Sequence, residues 1–362
     1  MIDLKDKKVL IYADGAFGLE ARRKYSVRAK TADGVLRWAD YEIAGVIDSS
    51  SDEKNVWEVL GMREDVQIFR DLKDAFAETS ANVLLLGVAP EGGEFPVSWR
   101  EDVIWAMQNG MDIVAGMHYE LSRDDEFINV AKLFNRQIWD VRIPPKGLPV
   151  GGARAYNINP GKDIKRPIVL TVSTDPAVGK LTTTMAIVRG LRQKHNNPCF
   201  VPTGQTSIMV GGWGIAVDAC VGDFQAGAVE KMLLEKAEDP QWTHFIVKGQ
   251  GSIYHPGYSN TTIAMVHGSV PTHMIMVHRP QRKHSIGSKL IKLPPLNEAI
   301  EMYEKLVLPP YRDCKVTGIS LNTFGMTDEE AKEEIQKTEF ETGLPTVDVV
   351  RFSNEVDKIL KF

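Results

Sequence analysis

Ile168-Val169-Leu170-Thr171-Val172-Ser173-Thr174-Asp175-Pro176-Ala177-Val178-Gly179-Lys180-Leu181-Thr182-Thr183 is the stretch that decides the fold. Its β-branched opening, Ile168–Val172, predicts a buried strand, and Thr183–Arg192 predicts the helix that follows. Strand, Gly-Lys turn and helix in that order make a phosphate loop out of what would otherwise be a loose pattern. In such a loop successive backbone N–H groups and the helix N-terminus converge on one anion, and the lysine adds a mobile positive charge. Thr174, Val178, Gly179, Lys180, Thr182 and Thr183 are therefore the candidate cofactor-binding residues.

The loop departs from the strict pattern. Ser173 stands at the first glycine's place, and Leu181 stands where Ser or Thr would ligate Mg²⁺, so Thr182 or Thr183 would have to supply that hydroxyl. The strand predicted at His244–Lys248 ends in a lysine where a carboxylate would help hold the metal; Asp218 or Asp223 would have to substitute. A loop that cradles phosphates without an assured metal site suits the phosphates of coenzyme A as well as those of a nucleotide.

Outward from this loop, further strands are predicted at Cys199–Pro202, His273–Val277, Val316–Leu321 and Val347–Phe352, with a capping box at Thr327–Glu330 opening a helix that ends near Gly343. The N-terminal third alternates strands at Lys8–Tyr12, Ile43–Asp48, Val83–Val88 and Met111–Gly116 with helical stretches at Asp71–Glu78 and Trp99–Gln108. Asp14-Gly15-Ala16-Phe17-Gly18 follows the first strand like a dinucleotide loop, but the full glycine fingerprint is absent; the expectation is Rossmann-like topology without a bound dinucleotide. The fold class is thus α/β: a Rossmann-like parallel-sheet domain over 1–150 and a P-loop NTPase-like α/β domain over 151–362. The stretch from about 144 to 167, rich in proline and glycine, reads as the linker, or with Gly151-Gly152-Ala153-Arg154 laid over a ligand.

Composition narrows the class. With 43% apolar and 25% charged residues and a net charge of −5, the chain has the make-up of a globular protein and no electrostatic reason to bind nucleic acid or anionic membrane. Apolar runs such as Val83–Leu86 are far too short to span a bilayer, and the charged start Met1–Lys8 does not read as a signal peptide. Cys199, Cys220 and Cys314 are too scattered for a disulfide framework or a zinc site, and His267, His273, His278 and His284 lack paired carboxylates, so no metal is expected. The expectation is a cytoplasmic homo-oligomer acting on a small-molecule substrate.

Two other segments carry chemistry. Gly204-Gln205-Thr206 follows a predicted strand, where glycine lets the backbone approach a ligand. Gly249-Gln250-Gly251-Ser252 leads to His255, whose ordinary pKa near neutrality suits a general base; Ser252 has no nucleophile-elbow context. Arg279 and Arg282 are placed to pair a substrate carboxylate.

Ala29–Arg37, Thr174-Asp175 with Val178–Thr183, Thr203–Thr206, Asp223–Glu230, Gly249–Ser252 with His255-Pro256, and Val266-His267-Gly268 occur in order along nearly the whole chain. Together they resemble the D-glutamate N-acetyltransferase-like family, formerly a domain of unknown function. The resemblance implies a C-terminal domain similar to that of dethiobiotin synthetase. It also implies acetyl transfer from acetyl-CoA to the amino group of D-glutamate or a similar amino acid. Lys248 departs from the family pattern, which has an acidic residue before Gly-Gln-Gly-Ser. An acetyltransferase must deprotonate the incoming ammonium, align it with the thioester and stabilise an oxyanion. His255, Asp218 or Asp175 is the base on this reading, and N–H groups of Gly249–Ser252 or Gly204–Thr206 are the oxyanion donors. Gly204, Gln205, Thr206, Gln250, Ser252, Lys30 and Arg37 are the candidate substrate-binding residues, with Ala29–Arg37 expected to face the phosphate-loop edge across an interdomain cleft. The alternatives are an ATP- and Mg²⁺-dependent ligase or small-molecule kinase, with Asn322 reading adenine, and a non-catalytic nucleotide sensor.

Overall fold

The computed structural model describes residues 1–24, 28–88, 90, 95–161, 163–307 and 312–362. The chain divides into two compact units: Met1–Pro144 with Gly204–Ala216, and Pro145–Thr203 with Val217–Phe362.

In the first unit, β1 (Lys8–Tyr12), β2 (Glu42–Ile47), β3 (Ile68–Phe69), β4 (Val83–Leu86), β5 (Asp112–Ala115) and β6 (Ile138–Asp140) form one sheet in the order β3-β2-β1-β4-β5-β6. Every pairing is parallel. That order is the Rossmann one, and it puts the topological switch point between β1 and β4. The continuous apolar run of β4 is buried along its whole length, as a central parallel strand with both faces covered must be. Two edge strands, β3 and β6, are too short to leave a sequence pattern.

The second unit holds β7 (Ile168–Ser173), β8 (Pro198–Val201), β9 (His244–Val247), β10 (His273–His278), β11 (Lys315–Leu321) and β12 (Thr346–Val347), ordered β12-β11-β10-β7-β9-β8 and again all parallel. From β7 the chain departs toward β8, and from β10 toward β11 on the opposite side. The switch point, where open α/β sheets bind ligands, therefore lies beyond the ends of β7 and β10. The expected helix after the loop runs Lys180–Gln193, and Thr327 and Glu330 close the capping box reciprocally. The strand expected at Val347–Phe352 stops at Val347. Asp348 ends it by turning its carboxylate onto the N–H groups of Val350 and Arg351 (2.9 and 3.0 Å) and onto Thr323, so the backbone leaves the ladder.

Two expectations about connections change. The proline- and glycine-rich stretch belongs to the second unit, where Gly152 and Arg154 lie on the helix Gly222–Ala237. The fully buried Glu230 accepts from Gly152 N (2.7 Å), Arg154 N (2.9 Å) and the Arg154 guanidinium (2.6 Å). A Cβ on Gly227 would stand 1.8 Å from the Pro149 carbonyl oxygen, so the strap needs glycine beneath it. The other change concerns 204–216, which packs with the first unit. Its helix, Gln205–Gly211, lies against the helix Lys30–Trp38, with Thr206 Oγ1 3.2 Å from Thr31 Oγ1 and Tyr41 donating to the Met209 carbonyl at 2.9 Å. The chain re-enters the second unit where Val217 N donates to the Thr203 carbonyl (2.9 Å). Among the described residues no helix is long and apolar enough to cross a membrane.

Candidate active site

The loop after β7 turns through Ala177 (φ 53°) and Gly179 (φ 118°) into its helix. Among the described residues, the N–H groups of Ala177, Val178 and Gly179 have no intramolecular acceptor. Unpaired amides at a helix N-terminus are the donors an anion takes up. Lys180 is buried, and its ammonium donates to Ser173 Oγ (2.6 Å) and the Gly251 carbonyl (2.7 Å). It is thereby held between the end of β7 and the loop after β9. Meeting a phosphate requires it to exchange these acceptors.

The loop is braced from three sides. Asp175, fully buried, accepts from Arg282 (2.7 Å), Ser285 Oγ (2.7 Å) and Ile286 N (2.9 Å). Both carboxylate oxygens are occupied, and Arg282, considered for a substrate carboxylate, is spent on this internal one. Asn322 donates to the Val178 carbonyl at 3.0 Å and accepts from Phe324 N at 3.1 Å, so its amide supports the loop instead of reading a base. Tyr303, fully buried, donates to the Ser173 carbonyl (2.8 Å) and accepts from Ile253 N (3.2 Å); burial pushes its phenol up to about 12. Tyr303 lies within a helical apolar pattern and leaves no chemical signal in the sequence.

At the switch point, His278 at the end of β10 places Nδ1 2.9 Å from Thr174 Oγ1. Burial, helped by the positive charge of Lys283, holds its imidazole down to about 4, so the ring is neutral at pH 7. Sequence reading placed His278 only in a zinc-deficient histidine cluster; its value comes from strand order.

The segment after β9 is set by one contact. A Cβ on Gly249 would lie 1.7 Å from the Thr171 carbonyl oxygen, and Gly249 N donates to Thr171 Oγ1 (2.9 Å). Ser252, buried, donates to the Thr174 carbonyl (2.9 Å), which makes it a tie to the phosphate loop. Gln250 donates to the Thr203 carbonyl (2.6 Å) and to the exposed Asp218 (3.0 Å), and accepts from Lys248 Nζ (3.3 Å). The N–H groups of Gln250, Gly251 and Ser252 have no acceptor among the described residues. His255 is half-buried; Nδ1 accepts from Gly257 N (3.1 Å), Nε2 faces the Ile286 carbonyl (3.2 Å), and the ring stacks on Tyr258.

Of the residues singled out from sequence, the second unit therefore gathers Thr174, Asp175, Val178, Gly179, Lys180, Thr182, Thr183, Gln250, Ser252 and His255 along the segments that follow β7 and β9, with Asp218, in the short helix Val217–Ala219, joined to them through Gln250. Gly204, Gln205 and Thr206 fall instead in the first unit with Lys30 and Arg37, where Gln205 accepts from Arg142 at 2.6 Å. Of the groups beside the loop, Thr183 and Asp175 are committed inside the fold, while Thr182 is half-buried at the helix start. Thr183 is buried and donates to Ser320 Oγ (2.8 Å), Asp175 is consumed, and no group of three or more His, Cys, Asp or Glu among the described residues is placed for a metal. The three cysteines are buried and their thiols raised to about 11 or 12 by that burial, which leaves no reactive thiolate.

Residues 150–360 match a family model described as a domain of unknown function, the DUF1611 C-terminal P-loop domain, and residues 49–144 match its N-terminal Rossmann-like domain. A protein of Tritonibacter scottomollicae named D-glutamate N-acetyltransferase is 32% identical over 89% of this chain and 91% of its own. Another of that name, from a Pseudoalteromonas species, is 31% identical over 78% of this chain and 82% of its own. A crystal structure of a DUF1611 family protein from Anabaena variabilis superposes with a TM-score of 0.87 at 33% identity, covering 98% of this chain and 99% of that one.

Proposed function

The chain belongs to the DUF1611 family, and from that premise we propose that it is an N-acetyltransferase that moves an acetyl group from acetyl-CoA to the amino group of D-glutamate or a similar acidic amino acid. The observation that carries the reading is the phosphate loop itself. Among the described residues it keeps unpaired amides at Ala177–Gly179 beside a buried lysine, while Leu181 stands at the metal-ligating position, Thr183 is committed to Ser320 and Asp175 to Arg282 and Ser285. Such a loop binds a diphosphate without activating it for transfer, which is what a coenzyme A ester requires.

The chemistry is attack of the amine nitrogen on the thioester carbonyl. A C–N bond forms, the C–S bond breaks, the ammonium proton goes to a base, and the departing thiolate takes up a proton. The free N–H groups of Gln250–Ser252 suit the oxyanion, whereas Gly249 and Gly204 spend theirs on Thr171 and Ser207. Of the three candidate bases, Asp175 has both oxygens occupied and His255 both ring nitrogens engaged. On this reading the base is Asp218, chosen for its exposure to solvent; it accepts from Gln250, which also accepts from Lys248. Lys248 adds the positive charge that favours an acidic substrate.

The test is to incubate the protein with acetyl-CoA and a panel of D- and L-amino acids while following free thiol. Release with D-glutamate or another acidic amino acid is expected, and Asp218→Asn should lower it at least tenfold. No release with any acidic amino acid overturns the reading. Tight ATP binding that depends on Mg²⁺, without coenzyme A binding, would favour a ligase or kinase instead.

A further inference from the structure

We propose that Phe324, with Arg279 over one face of its ring, is the stacking platform for the purine of a nucleotide whose phosphates the Ala177–Thr182 loop holds. This rests on the phosphate-binding part of the reading above and names the moiety at the far end of the ligand.

Phe324 is 75% exposed, an apolar ring offered to solvent. Single exposed apolar residues are ordinary; what distinguishes this one is its mounting. It follows β11 as Arg279 follows β10, and the two strands pair in parallel with His278 opposite Leu321. Both residues therefore emerge at the carboxyl edge, beside the switch point. The turn beneath the ring is rigid. Thr323 is buried and bonded through N to Asp348 (3.1 Å), Met326 N donates to the Thr323 carbonyl (3.0 Å), and Gly325 takes φ 92°. Phe324 N is held by Asn322, the same side chain that braces Val178 and lies against Gly179. The backbone that carries the ring is thus anchored two residues from the group supporting the phosphate loop.

The Arg279 guanidinium stands 5.8 Å from the ring centroid. A planar cation on one side of an exposed aromatic leaves the other side for a base, and both coenzyme A and ADP carry an adenine joined through ribose to a diphosphate. Phe340, 92% exposed on the helix Asp328–Thr342, has no such mounting and serves as a control.

Calorimetric titration with ADP, coenzyme A and inorganic pyrophosphate tests this on the wild type and on Phe324→Ala, Phe324→Trp and Phe340→Ala. The wild type should bind ADP and coenzyme A at least tenfold more tightly than pyrophosphate. Phe324→Ala should lose about tenfold or more toward both adenine ligands and nothing toward pyrophosphate. Phe324→Trp should restore binding, and Phe340→Ala should match the wild type. An unchanged ADP affinity in Phe324→Ala, an equal loss toward pyrophosphate, or no binding of any of the three by the wild type overturns the proposal. If the wild type transfers no acetyl group yet shows Phe324-dependent ADP binding, the acetyltransferase reading fails and this one stands. Acetyl transfer with an unchanged KM for acetyl-CoA in Phe324→Ala does the reverse.

Discussion

Two loops in this chain leave the carboxyl end of a central parallel strand, and they treat an anion in opposite ways. After β1, the N–H groups of Gly15, Phe17 and Gly18 all donate to the buried carboxylate of Asp48, at 3.0, 2.7 and 2.9 Å. Asp48 stands at the end of β2, where a dinucleotide-binding protein places the acid that meets a ribose. Here it turns inward and occupies the loop as an internal anion. After β7, the corresponding amides of Ala177, Val178 and Gly179 have no acceptor among the described residues, and the carboxylate within the loop, Asp175, is drawn away by Arg282 and Ser285. A glycine loop beyond a strand is therefore no ligand site by shape alone. It becomes one when the fold leaves its donors unpaired.

The largest effect should come from removing the internal anion. Asp48→Ala leaves the amides of Gly15, Phe17, Gly18 and Ser50 without their acceptor and is expected to lower stability by about 3 kcal/mol in denaturant unfolding. Added phosphate should recover part of that loss in Asp48→Ala and none in the wild type. A loss below about 1 kcal/mol, or no phosphate effect, would break the contrast between the loops.

Lys180→Ala tests the other loop. Loss of its cation should raise KM for acetyl-CoA about ten- to a hundredfold, on the order of 1.4–2.7 kcal/mol, with a smaller change in kcat. An unchanged KM would remove the phosphate cradle from the account.

The smallest effect concerns pH. The folded protein holds His278 and His273 at about 4, chiefly through burial, against about 6.5 when unfolded. Below 6.5 the unfolded chain binds protons that the native state refuses, so stability is full above that value and falls between about 6.5 and 4. His278→Gln should flatten this slope by on the order of 1 kcal/mol between pH 7 and pH 5, measured by urea unfolding at each pH. An equal slope in both proteins would show that the ring beside Thr174 is not held neutral.

Much of the candidate site was legible in sequence because its chemistry is local. Gly179-Lys180 between a β-branched run and a helix can be read without a partner, and so could the glycines around Gln250. The supporting residues were not legible. Tyr303 lies 130 positions from Ser173, and Asp348 lies 25 from Thr323; no spacing rule links such pairs. Glu230 and Gly227, quoted as motif residues, prove to hold the Pro149–Arg154 strap.

The sequence by itself determined the class: apolar runs of strand length alternating with helices impose parallel sheets, and a Gly-Lys turn after one of them imposes a phosphate loop. Tertiary structure alone decided which donors stay open. Asp48, Asp175 and Glu230 are all carboxylates that could have served a ligand, yet each is buried against amides or an arginine brought in by chain packing. Hydrogen bonds saturate, so whether an amide or carboxylate can meet a ligand depends on what the fold has already placed against it. Local sequence does not carry that information.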